Sequence, residues 1–272
     1  MAETGGKSPV EYISHHLGHW QVGSSFLTTV NLDTVLFSLL AGGIMLFLGW
    51  WVARRITSGR PGALQNVLEM LVEFINDQIR AVFPIKDPFV GPMALTVFVW
   101  VAAMNAIDLI PVDFFPKLSG WVGGAFGLNP AEVHFHALPT ADLSVPAGMA
   151  IGVFVMTMIY NLRHRGLVGY LKRYLLHPYG KFAVPFNVLM NTVEELARPL
   201  SLALRLWGNF FAGDLIFMLI ALFGFSLLVA PIQVILGWAW SWFETLEVFL
   251  QAFIFMLLSV VYLAMTVQED EH

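Results

Sequence analysis

Two apolar stretches toward the C-terminal end, Val184 to Leu222 and Pro231 to Val267, constrain this chain most. Both are helix-compatible and nearly uninterrupted. At ~1.5 Å rise per residue, each would make a helix longer than about 50 Å. The hydrocarbon core of a bilayer is only ~30 Å thick. Such helices must tilt steeply, bend, or run partly outside the core. Gly224 and Pro231 bracket the turn between them, so the pair reads as a long, slanted helical hairpin.

Three shorter spans precede the hairpin, at about 32–53, 89–110 and 143–162. The first ends at Arg54-Arg55, the second at Pro111 and the third at Arg163-His164-Arg165. Between the first two lies Ala63 to Phe83. Leu64, Val67, Leu68, Leu71, Ile75 and Ile79 recur there at helical spacing, interrupted by Glu69, Glu73, Asn76, Asp77 and Arg80. That segment is too polar to span and reads as an amphipathic helix at the membrane interface. The expected fold is therefore an all-α integral membrane protein. It has five membrane-inserted helices, including a tilted C-terminal hairpin, plus one interfacial helix. Residues 1–31 are read as an outer segment and 32–272 as a single membrane domain. Composition agrees, with only 12% charged residues against about 25% in soluble domains. The polar N-terminus shows no basic and then apolar pattern of a cleaved signal.

Lys and Arg placement sets the orientation. Arg54, Arg55, Arg60, Arg80 and Lys86 fall in the first loop. Arg163, Arg165, Lys172, Arg173 and Lys181 fall in the third, and the second loop holds Lys117 alone. The first and third loops are expected in the cytoplasm, with the N-terminus outside and the C-terminus cytoplasmic.

Arg205 lies inside the first hairpin helix. A guanidinium cannot shed its charge, and a charge at membrane depth costs at least ~2.5–3.5 kcal/mol. It needs water, a partner carboxylate, or both. Asn209 follows four residues later on the same face. Asp214 is nine residues away, about 180° around the helix, and looks toward a different polar surface. On the second hairpin helix Glu244, Glu247 and Gln251 share one stripe, which suits a water-lined path. Asp214 either lines that path or pairs with a neighbouring helix. Glu247 is either a relay or a structural hydrogen bond. Gln251 is either interhelical glue or the amide that orients Arg205. Asn105 and Asp108 end the second span, as helix-end hydrogen bonds or as part of an outer water path. Asp142 is read first as the cap of the third span and second as an outer-path residue. Glu194 and Glu195 line an inner vestibule or form a solvated helix end.

Other chemistries find no support. The chain has no cysteine, which removes disulfides and thiolate ligands. His134 and His136 lack a third ligand and read as solvated loop residues. Gly5-Gly6-Lys7-Ser8 lacks the early glycine of a phosphate loop. H-E-x-x-H and G-x-S-x-G motifs are absent. No cofactor or metal is expected, and the net charge of -5 gives no reason to expect nucleic acid. A stand-alone ion-coupled secondary transporter is the alternative, but it would favour two related halves with paired broken helices, and no internal repeat is visible.

The block Ser201-Leu202-Ala203-Leu204-Arg205-Leu206-Trp207-Gly208-Asn209, with Ala212-Gly213-Asp214-Leu215-Ile216, resembles the signature of subunit a of the rotary F-type ATP synthase. Leu250-Gln251-Ala252-Phe253-Ile254-Phe255-Met256 followed by Tyr262-Leu263 is similar to that family's C-terminal helix. Asn105-x-x-Asp108-Leu109-Ile110-Pro111 and Pro139-Thr140-Ala141-Asp142 resemble two more of its segments. The resemblance implies a proton-conducting stator beside a ring of c subunits, with subunit b of the peripheral stalk and the rest of the complex as partners. It implies a multi-pass protein of the bacterial inner membrane that is not an enzyme by itself. It also implies that Arg205 faces the ring carboxylates, with Asn209 and Gln251 nearby. Asp214 then matches an outer-channel acid, commonly Glu. Glu244 matches a position often held by His, so this chain pairs Asp with Glu and has no histidine there.

Overall fold

The structure is a computed structural model that describes residues 21–22, 30–57, 59–83, 87–109, 142–221 and 230–268. The expectations placed on Gly5 to Ser8, Pro111, Lys117, His134, His136, Thr140, Gly224 and the tail after Gln268 lie outside the described residues, as does the side chain of Asp108.

Six α-helices dominate the described residues: α1 (Leu32–Ala53), α2 (Ala63–Val82), α3 (Val90–Asp108), α4 (Ser144–Leu176), α5 (Val184–Ala221) and α6 (Ala230–Gln268). All but α2 are long and apolar enough to cross a membrane. A 3-10 turn at Lys181–Ala183 leads into α5. The only strands among the described residues are β1 (Gln21–Val22) and β2 (Val30–Asn31), a two-residue antiparallel pair. The fold is thus all-α, as expected from the run lengths. Large apolar side chains such as Leu39, Leu46, Phe47, Trp238 and Leu246 are exposed, which is the pattern of surfaces that meet lipid rather than water.

The described residues form two compact units. The first takes those of Met1–Met45, Ala102–Val145 and Trp207–Leu250; the second takes those of Leu46–Val101, Pro146–Leu206 and Gln251–His272. In the first unit Asp142 ties the start of α4 to the start of α1. Its Oδ1 accepts the Ser144 N–H at 3.0 Å, and its Oδ2 accepts from Asn31 Nδ2 at 2.5 Å and Thr34 Oγ1 at 3.3 Å. This is the capping role read from the sequence, extended to a second helix. Near the hairpin turn, Gln233 Nε2 donates to the Ile220 carbonyl at 3.0 Å, satisfying a helix-end acceptor.

In the second unit the core is built on Met256, Val260, Leu263, Ala264 and Val267, one stripe of α6 at helical spacing. Ile75 of α2, Phe83, Val90, Met93 and Ala94 of α3, and Tyr160 of α4 pack into it. The amphipathic α2 therefore buries Ile75 in protein while Leu64, Val67 and Met70 stay exposed. Arg54 and Arg55 close α1 by folding over the rings of Trp50 and Trp51, at 4.2 and 4.5 Å.

Helix α4 outruns the span expected to end before Arg163. Gly166 breaks it at φ 67°, a left-handed conformation that suits glycine, and helical turns resume to Leu176. The charges mark where the chain leaves the apolar layer, not where helix ends. Beyond Leu176, Asn187 is fully buried. Its Oδ1 accepts the Tyr179 N–H, and its Nδ2 donates to the Leu175 and Gly180 carbonyls, at 3.0–3.1 Å. Asn191 Nδ2 donates to the Tyr174 and His177 carbonyls. These amides hold the end of α4 against the first turns of α5.

Candidate functional site

In the first unit, α5 and α6 bring four polar groups together. Asn209 hydrogen-bonds Glu247. Four residues further along α5, a Cβ built on Gly213 would meet Glu244 Oε1 at 3.0 Å. Moving forward along α5 moves backward along α6, the register of an antiparallel pair. The Glu244 carboxyl therefore lies on the bare backbone of Gly213, beside Asp214. The two acids are 4% and 3% exposed, and they repel each other when both are ionised. The half turn between Arg205 and Asp214 read from the sequence leaves Asp214 on a buried face of α5.

The same unit holds buried polar atoms that no described residue satisfies. They include Asp214 Oδ2, the Trp240 indole nitrogen, and both amide atoms of Asn105, whose side chain is 0% exposed. An unsatisfied buried polar group costs about 1–3 kcal/mol, and native structures relieve most such groups with protein or ordered water. Asn105 is thus a buried polar group in want of a partner, and its side chain makes no helix-end hydrogen bond with a described residue. Asp142, in the same unit, bonds Asn31, Thr34 and the Ser144 N–H.

The second unit contains Arg205 and Gln251. Arg205 is half-buried and makes no hydrogen bond or ion pair with a described residue of that unit. Gln251 is buried, and no hydrogen bond joins it to Arg205. On α5, Arg205 shares a face with Ala197 and Ser201, eight and four residues earlier, both small and exposed. Small residues let another helix approach closely.

A cleft opens in this unit between α4, α5 and α6, with about 60 Å³ of room for water. A single water needs about 10–15 Å³ by that measure, so several fit. Its α5 wall is Asn191, Glu195, Arg198 and Leu202, spaced four, three and four apart. Three residues further along the same stripe stands Arg205. Leu202 and Val153 give it apolar lining, and Arg173, Glu194, Glu195 and Arg198 give it charged lining. Glu194 pairs with Arg198, whose guanidinium lies over the Tyr262 ring at 5.6 Å. Tyr170 donates to the Glu195 carboxylate at 2.9 and 3.1 Å. Arg165 closes the end of α6, donating from Nε and Nη2 to the Thr266 carbonyl at 2.9 and 2.6 Å.

Sequence reasoning reached Arg205, Asn209, Asp214, Glu244, Glu247 and Gln251 as polar intruders in apolar helices. It missed Gly213, whose small size at a helix contact was a usable signal. It also missed Tyr170 and Arg198, although Asn191, Glu195, Arg198, Leu202 and Arg205 are legible as one helical stripe. Among the described residues no group of three His, Cys, Asp or Glu side chains could hold a metal ion.

Comparison with known proteins adds a family. The family model described as "ATP synthase A chain" matches residues 35–264. The ATP synthase subunit a of Mannheimia succiniciproducens is 44% identical over 269 residues, 98% of this chain and 99% of the relative. That of Haemophilus influenzae strain Rd is 43% identical with the same coverage. That of Aeromonas salmonicida strain A449 is 41% identical over 271 residues, 99% of this chain and all of the relative.

Proposed function

The chain belongs to the ATP synthase A chain family, and on that premise we propose that it is the proton-conducting stator subunit of a rotary ATP synthase membrane sector. It carries no catalytic site of its own and works within the complex, in a bacterial inner membrane. Its partners are a ring of c subunits and subunit b of the peripheral stalk. Residues 1–31 form an outer segment and 32–272 the membrane domain, with the N-terminus outside and the C-terminus in the cytoplasm.

Arg205 carries the reading. It is a permanent cation on an apolar helix, with no carboxylate partner among the described residues of its own unit, on a face lined by small exposed residues. A mobile acid on a neighbouring ring supplies the missing anion. A ring carboxyl crosses lipid only when protonated, because the ionised form is too costly there. Beside Arg205 the ionised form is favoured. The proton leaves along the cleft whose α5 stripe ends at Arg205. Past Arg205 the carboxylate takes a new proton from an outer path. Asp214 and Glu244 exchange protons there, and Asn105, Asn209 and Glu247 supply polar lining. Asp108 and Asp142 stand at the outer end, and Gln251 borders the arginine. Two offset half-channels separated by a fixed cation make ion flow proceed by rotation. Each charge crossing 100 mV yields about 2.3 kcal/mol.

The test is Arg205→Ala in the assembled complex, reconstituted into vesicles. ATP-driven proton pumping and ATP synthesis should both stop. Pumping at the native rate would refute the proposal. Arg205→Lys should not restore full function, because Lys lacks the planar fork and can deprotonate.

A further inference from the structure

The exposed apolar surface of α4 does not stop where the chain leaves the apolar layer. Before the basic band Arg163-His164-Arg165, Ile151, Val155 and Ile159 are exposed, as expected of a helix in lipid. After it, Leu167, Val168, Leu171 and Leu175 are exposed in turn, Val168 at 80%. Their spacing of one, three and four residues places them on one side of the helix. Another side carries Tyr170 and Tyr174, whose hydroxyls hydrogen-bond Glu195 and Thr192 of α5. Lys172 is exposed at the edge of the apolar stripe. Tyr179, Lys181 and Phe182 are exposed in the turn that follows, and Phe182 is wholly bare.

A contiguous apolar stripe standing in cytoplasmic water would be an unusual surface. A helix running straight on from the span would put it there. Gly166 is where the chain turns instead, at φ 67°, a conformation that glycine adopts without strain. The turn lets the second apolar stripe come back to the bilayer surface, with the basic band at headgroup level. One medium then covers the exposed sides of α4 before and after Gly166. The charge fits that medium. From Leu143 to Val193 the chain has no acidic residue, while Arg163, Arg165, Lys172, Arg173 and Lys181 are basic. A cytoplasmic leaflet carries anionic lipid and attracts such segments. A lysine at the edge of an apolar stripe lays its stem along the acyl boundary and holds its ammonium among the phosphates. An apolar face flanked by basic side chains is the pattern of a helix lying in the interface.

We infer that residues 167–182 form an interfacial anchor on the cytoplasmic leaflet and that its occupant is anionic phospholipid. Acyl chains lie against Leu167, Val168, Leu171 and Leu175, and phosphodiester headgroups meet Lys172 and Lys181. The leaflet rests on the orientation proposed above, whereas the lipid contact itself goes beyond the stator reading. The anchor has a mechanical use. Through Tyr170 and Tyr174 it is joined to Glu195 and Thr192 of α5, the helix that bears Arg205. The bilayer surface thereby braces that helix against the sideways load of a turning ring.

The experiment uses the assembled complex in vesicles, with any cysteines of the other subunits replaced. This chain has no cysteine of its own. Val168→Cys, or Leu171→Cys where the first does not assemble, therefore gives a single thiol for a polarity-sensitive fluorophore. In vesicles of equal parts phosphatidylcholine and phosphatidylglycerol, its emission should shift to the blue. Lipids carrying a nitroxide high on the acyl chain should quench it, and iodide in the water on either side should not. The nitroxide should quench several-fold better on phosphatidylglycerol than on phosphatidylcholine. The added pair Lys172→Gln/Lys181→Gln should remove that preference and leave the blue shift. Quenching by iodide instead of lipid places the stripe in water, and protection from both places it against a protein partner. Either result overturns the proposal. Equal quenching by the two lipids overturns the anionic occupant. A membrane-impermeant thiol reagent should reach Lys181→Cys from the cytoplasmic side alone, and reaction from the outer side alone overturns the leaflet. None of these readouts depends on Arg205, so normal pumping by Arg205→Ala would remove the stator reading and leave the anchor standing.

Discussion

Gly213 offers a sharp separation of stability from transport. It lies within α5, where replacing glycine by alanine ordinarily gains about 0.5–1 kcal/mol by restricting the unfolded chain. Against that gain stands one contact, the new Cβ at 3.0 Å from Glu244 Oε1, with the Glu244 carboxyl carbon at 3.9 Å. The obstructing atom is the far end of a flexible side chain, so the carboxylate yields by a few tenths of an ångström. A torsional adjustment of that kind costs about 0.5–1.5 kcal/mol at most. The two effects nearly cancel, and the thermal stability of the complex should change by less than about 1 kcal/mol. Transport should not be spared, because the carboxylate that moves is the one set beside Asp214, and proton transfer needs donor and acceptor within about 2.6–3.2 Å or through one water. Gly213→Ala should lower proton flux several-fold in reconstituted vesicles. A second substitution tests the cause. Glu244→Asp is one methylene shorter and draws the carboxylate back from position 213. The double variant Gly213→Ala/Glu244→Asp should then conduct no worse than Glu244→Asp alone. If the two losses simply multiply, the contact is not what limits transport, since independent sites behave additively.

Asp142→Ala removes the cap of α4 together with the bonds to Asn31 and Thr34, and should destabilise the protein by about 1–2 kcal/mol in thermal unfolding. Asp142→Asn retains an acceptor and should lose less than half of that. Asp87 makes a pH prediction outside the spans. The Phe89 N–H, at 2.8 Å, holds its carboxyl below the usual range, helped by the Tyr160 hydroxyl at 2.8 Å and by His164 at 3.8 Å, and opposed by burial. A depressed folded value means the stabilisation is present above the unfolded carboxylate pKa of about 3.9 and is lost as pH falls through the lower folded value. Unfolding temperature should therefore decline in acid, and Asp87→Asn should flatten that decline. An equally steep acid limb in the Asn variant would remove Asp87 from the account.

The run lengths made the five spanning helices readable because a helix in lipid must be apolar along its whole length, so composition alone marks it. Charge at the loop ends was less informative about helix ends. Arg163 and Arg165 look like a terminus, yet α4 continues past Gly166, since a helix leaving the apolar layer keeps its hydrogen bonds and changes only its side chains. Of the site, the periodicity identified which residues are out of place in lipid but not which of them meet. Glu244, Glu247 and Gln251 share a stripe in the sequence. In the structure Glu247 takes Asn209, whereas Glu244 lies against Gly213. That division depends on the register of two antiparallel helices, fixed by packing between residues far apart in the chain, which a 3.6-residue period does not encode. The same holds for Tyr170 and Glu195, joined across the α4–α5 turn. The one distinction sequence chemistry could have drawn is at Pro199. A proline inside a long apolar helix frees the carbonyl four residues earlier, and here that carbonyl belongs to an acid on the stripe of Arg205. A polar backbone atom, a carboxylate and a guanidinium along one helix face form a graded polar track, where an isolated charge would have formed only a defect.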